Sequence, residues 1–119
     1  MLRCVIAIGF AAFAAVSVSA HDGLHAGRVI ADVQAAQTDA ATVFVTLEIE
    51  PLDGAVHLQG AFVHGAVVTL LSDDSAIAAR TVQTRALAVA FEAPVPGLFT
   101  LILDFGIAGL GPVLVIPDP

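Results

Sequence analysis

The chain has 119 residues, 58% of them hydrophobic and only 13% charged, and it contains no lysine. That length is enough for one small domain. Beyond its first twenty residues, three arginines (Arg28, Arg80 and Arg85) face eleven acids, leaving a net charge of −8 that excludes nucleic acid and anionic lipid surfaces as partners, because both need clustered cations.

Residues 1–20 read as a secretory signal. Arg3 precedes an apolar run over residues 4–16, and Ser17-Val18-Ser19-Ala20 supplies the small residues a signal peptidase requires. The run is short and alanine-rich for a transmembrane anchor, which needs about 20 strongly apolar residues, and His21 and Asp22 follow at once. Cleavage after Ala20 is expected to release an unanchored protein, residues 21–119, into the periplasm or the exterior. Met1 and Cys4 are the only residues of their kinds. Both leave with the signal, so the mature domain has neither a disulfide nor a thiol nucleophile.

The rest alternates with the period of half-buried strands. Weak alternation over residues 28–34 precedes an alanine-rich stretch, 31–41, with room for a helical turn. Over 42–50, Val43, Val45, Leu47 and Ile49 share one face. Pro51-Leu52-Asp53-Gly54 has turn chemistry, and 55–63 resumes the alternation with Val56, Leu58 and Phe62 on one side, which predicts a hairpin. Further strands are predicted over 66–72, 76–84, 86–93, 98–105 and 113–116, divided by His64-Gly65, Asp73-Asp74-Ser75, Pro94-Val95-Pro96-Gly97 and the glycine-rich 106–111. The run over 98–105 is the most apolar and should be central. About seven or eight short strands at this spacing predict an all-β sandwich, immunoglobulin-like or cupredoxin-like, with Val45, Leu47, Leu58, Leu101 and Leu103 in its core.

No glycine-rich phosphate loop, metalloprotease helix motif or nucleophile elbow is present, so no enzymatic activity is expected. Glu48 with Glu50, and Asp73 with Asp74, read as solvated charge on a strand face and in a turn. Ser72, Ser75 and His64 carry the letters of a catalytic triad without a pattern that implies its geometry. The four histidines are the strong transition-metal ligands. At a processed terminus His21 offers its α-amine and its ring nitrogen to one ion, a chelate suited to Cu(II), and His25 adds a third nitrogen four residues later. His57 and His64 are weaker candidates that would join only if the fold brought them to the terminus.

Residues 42–71, preceded by alanine (ATVFVTLEIEPLDGAVHLQGAFVHGAVVTLL), resemble the opening half of the periplasmic copper chaperones called PCu(A)C proteins. The likeness lies in Val43-Phe44-Val45-Thr46-Leu47-Glu48 before an acidic turn, then Leu58-Gln59-Gly60-Ala61, then Val68-Thr69-Leu70. It implies a secreted cupredoxin-like sandwich that delivers copper. The family's histidine after the Val-x-Leu strand is Leu71 here, and the mature chain has no methionine for a soft Cu(I) site. His64-Gly65-Ala66-Val67-Val68-Thr69-Leu70-Leu71 and Pro96-Gly97-Leu98-Phe99-Thr100-Leu101 also resemble the two ends of immunoglobulin-like accessory domains, which implies a structural or partner-binding role. The expected function is thus a non-enzymatic exported protein that binds or escorts a divalent metal, copper above all. The other reading is a metal-free sandwich that binds another envelope protein through a sheet edge or apolar patch.

Overall fold

A chain that alternates aliphatic and polar residues can bury its aliphatic faces only by stacking one sheet on another. The computed structural model describes residues 16–19, 28–72, 75–92 and 94–119, and it arranges them in this way. The strands are β1 (Val16–Ser19), β2 (Arg28–Asp39), β3 (Thr42–Pro51), β4 (Gly60–Phe62), β5 (Ala66–Leu70), β6 (Gln83–Phe91), β7 (Phe99–Asp104) and β8 (Leu110–Val115). One antiparallel sheet has the order β1-β2-β3-β6-β5 and the other the order β4-β7-β8. With β1 set aside, β2-β3-β6-β5 facing β4-β7-β8 has the connectivity of a constant-type immunoglobulin sandwich, A-B-E-D facing C-F-G.

The core is aliphatic and follows the alternation closely. Val43, Val45, Leu47 and Ile49 of β3, Leu87 and Val89 of β6, Leu101 and Leu103 of β7, and Val113 and Val115 of β8 all have exposures of 1% or less. At one end Phe91 meets Phe99 edge-on, with ring centroids 5.2 Å apart, and ties β6 to β7 across the sandwich. There is no tryptophan in the chain and its one cysteine is Cys4, so the buried tryptophan and inter-sheet disulfide of antibody domains have no counterpart.

Several expected elements differ. Residues 31–41 form no helical turn: β2 runs through them to Asp39, with a register shift between Val33 and Ala35. It closes a two-residue hairpin onto β3 through Ala40 and Ala41, where Ala40 supplies a positive φ of 56°. The segment after Pro51 does not fold back on β3. Instead β3 pairs with β2 and β6, while the chain crosses to the other sheet and β4 pairs with β7. Residues 76–84 are mostly not a strand. Only Ile77 bridges to Val56, and β6 begins at Gln83 and runs through Arg85, the position where two strands had been expected to part. The central place of the 98–105 run is as expected, because β7 lies between β4 and β8.

β2 would be an open edge along its outer side, a template for unwanted pairing, if nothing covered it. β1 pairs with its first residues, while Asp118 accepts from Thr38 N and donates to Ala36 O at 3.0 and 2.7 Å.

Candidate functional site

The two sheets treat their solvent faces differently. On the outer face of the larger sheet, β2 and β3 present Asp32, Gln34, Gln37, Thr42, Thr46, Glu48 and Glu50 together with Ile30 and Phe44, while β6 adds Thr84 and three alanines, and β5 adds Thr69 and Val67, the last at 67% exposure, so that face is mixed. The outer face of the smaller sheet is apolar. Its cross-strand registers place Phe62 of β4 opposite Ile102 of β7, and Ile102 opposite Pro112 of β8. Neighbouring rows pair Thr100 with Leu114, and Asp104 with Gly60 on one side and Leu110 on the other.

Alternation in β7 and β8 sets this face. Leu101, Leu103, Val113 and Val115 go inward, so Ile102, Leu110, Pro112 and Leu114 must point outward. Exposure reaches 56% at Phe62, 52% at Leu110 and 44% at Leu114, and Ile116 just beyond β8 stands at 51%. Together these side chains form a contiguous apolar patch, on the order of the few hundred Å² that the largest such patch on a soluble monomer covers. Only Thr100 and Asp104 interrupt it with polar groups. Phe62 had been expected to lie inward with Val56 and Leu58. The alternation changes phase at β4, so Val63 is buried and Phe62 turns to solvent.

Two of the four histidine candidates fall within the described residues. His57 and His64 are both exposed, His57 between buried Val56 and Leu58 and His64 in the turn before β5. His21 and His25 lie outside the described residues. Among the described residues no group of three or more histidine, cysteine, aspartate or glutamate side chains is placed to hold a metal ion. The triad letters are likewise dispersed. His64 and Ser72 sit at opposite ends of β5, whose five residues span roughly 13 Å. The Ser72 hydroxyl accepts from Ala86 N at 2.7 Å and extends the β5–β6 pairing.

Two charged groups stand out for different reasons. Arg85 is buried on the inner face of β6, where it donates to Ser75 O and Thr84 O, each at 3.0 Å, while its Nε has no hydrogen-bond partner. Among the described residues no carboxylate pairs with it. The strands predicted over 76–84 and 86–93 leave Arg85 between them, so the sequence does not mark it as a buried residue. Asp32 on β2 lies directly opposite Glu48 on β3. Burial, then repulsion from Glu48, holds the Asp32 carboxyl above the ordinary 3.8, against a lowering hydrogen bond from Gln34 Nε2 at 2.9 Å. Both groups belong to the sheet framework and neither lies on the apolar face. No protein-family model and no curated protein matches this chain, so neither family resemblance becomes an identification.

Proposed function

We propose that this protein is a non-enzymatic, exported binding module whose three-stranded sheet docks another envelope protein. One observation carries the reading: Phe62, Ile102 and Pro112 stand in register across all three strands on the outward face, with Leu110 and Leu114 on either side of Pro112 along β8. The larger sheet sets Phe44 and Val67 among acids, amides and hydroxyls on its outer face, whereas the strands of the smaller sheet have only Thr100 and Asp104 as polar side chains there. Desolvating this surface against an apolar partner is favourable by roughly 25 cal/mol per Å² before the costs of association. Thr100, Asp104 and the polar turns around the patch would form the hydrated rim typical of such contacts. Export is the sequence-based part of the proposal, and it rests on residues 1–20.

A photo-crosslinking side chain placed at Leu114 in the exported protein tests the reading, with one at Thr84 on the opposite sheet as control. A discrete partner adduct is expected from Leu114 and not from Thr84, and Ile102→Asp should abolish it. No adduct from Leu114, or equal adducts from both faces, would contradict the proposal.

A further inference from the structure

We propose that processing of this chain uncovers a strand-acceptor edge on β2, and that an extended segment of a partner protein takes the place β1 occupies in the unprocessed chain. The inference rests on removal of residues 1–20, and it concerns a sheet edge distinct from the apolar face. β1 is the tail of the segment read as a signal, yet it pairs antiparallel with β2, Val16 opposite Ala31, Ser17 opposite Ile30, Val18 opposite Val29 and Ser19 opposite Arg28. Cleavage after Ala20 would therefore leave the sheet to form without this edge strand.

The backbone groups left open can be named. Arg28 turns its polar groups toward β3, because its carbonyl accepts from Leu52 N at 2.9 Å and its N–H donates to Asp53 Oδ2 at 3.1 Å. Successive residues of a strand point their N–H and C=O groups to opposite sides, so those of Val29 and Ala31 point to β1. Both residues are buried with β1 in place, at 1% and 0% exposure. Without β1 their backbone groups form an open edge facing water, a template on which an incoming strand can pair. Farther along, the same edge is already closed by Asp118 at Ala36 and Thr38, so the acceptor site lies before Ala36 and includes the residues β1 pairs, 28–31.

β1 itself defines the chemistry of the occupant: an extended antiparallel segment with β-branched residues at the register positions opposite Val29 and Ala31 and small hydroxyl residues between them. β8 packs beside both β1 and β2, so a strand seated here would lie next to the outermost strand of the smaller sheet. One partner is then able to reach both surfaces.

The test uses the exported protein, its first residue fixed by mass spectrometry, and a synthetic nine-residue peptide with the sequence of residues 12–20. Amide hydrogen exchange is followed with and without saturating peptide. The expected result is His21 as the first residue, a folded core protected at Leu101 and Val113, and rapid exchange at Val29 and Ala31 that slows at least tenfold with peptide. A peptide carrying proline in place of Val18 should give no protection. The proposal is overturned if Val16–Ser19 is retained after export, if the processed core is unprotected and β1 is thus part of the fold itself, if Val29 and Ala31 are already protected without peptide, or if the peptide leaves their exchange unchanged. Because the apolar face is read by crosslinking at Leu114, failure here is distinguishable from failure of the docking proposal.

Discussion

Leu101 and Ile102 are adjacent on β7 and point to opposite faces, which makes them a direct measure of the sandwich register. Leu101 is fully buried, opposite Val113 in the pairing with β8, and faces the larger sheet. Truncating it to alanine removes three carbons, a transfer loss of about 2.4 kcal/mol at roughly 0.8 per methylene, and cavity formation raises the total into the range of about 2–5 kcal/mol. A domain of this size has about 5–15 kcal/mol in all, and this one has no disulfide to compensate. Ile102 is only half-buried, so Ile102→Ala should cost about 1 kcal/mol or less. Urea unfolding of both variants, with unchanged slopes, gives the comparison. A loss below about 0.5 kcal/mol for Leu101→Ala, or a larger loss for Ile102→Ala, would refute the assignment of inner and outer faces.

Three further outcomes follow from local geometry. Asp32 has its pKa raised in the fold, so the folded state holds its proton more tightly and its penalty grows as pH rises from the ordinary 3.8 through the raised value. Asp32→Asn should thus stabilise the protein by about 0.5 kcal/mol at neutral pH by removing a charge that burial and then Glu48 disfavour, and the gain should vanish in acid, as read by unfolding at two pH values. Ala40→Gly should stabilise by about 1 kcal/mol, because Ala40 holds a φ of 56° in the β2–β3 turn, and a lower melting temperature would contradict that backbone conformation. Gly106 has a φ of 65°, a left-handed conformation that strains any side chain, so Gly106→Ala should lower stability by about 1 kcal/mol in the same assay, with the exposed Gln59 amide moving aside for the new Cβ.

Strand faces were more legible than strand partners. Val45, Leu47, Leu58, Leu101 and Leu103 are buried as their alternation requires, because period-two burial is a local property that each strand carries by itself. Pairing depends on which connections cross between sheets, and Pro51-Leu52-Asp53-Gly54 has the same turn chemistry whether it closes a hairpin or begins a crossover. The real hairpin at Ala40 and Ala41 carried no glycine or asparagine to mark it. Arg85 hid the continuity of β6, since a charged residue in an apolar run reads as a boundary until its hydrogen bonds to Ser75 and Thr84 carbonyls are seen. The apolar face escaped notice for a related reason. Its side chains come from three separate strands, and Phe62, the member farthest from the rest in sequence, sits where the alternation changes phase.

The docking claim is tested most directly by the native size of the exported protein extracted from the envelope under mild conditions. The wild-type chain should elute in a discrete assembly well above the size of a monomer, whereas the double variant Ile102→Asp/Leu114→Lys, still folded by circular dichroism, should elute as a free monomer. A wild-type protein that elutes as a monomer, or a folded double variant that stays in the assembly, would contradict the assignment of the three-stranded face as the binding surface.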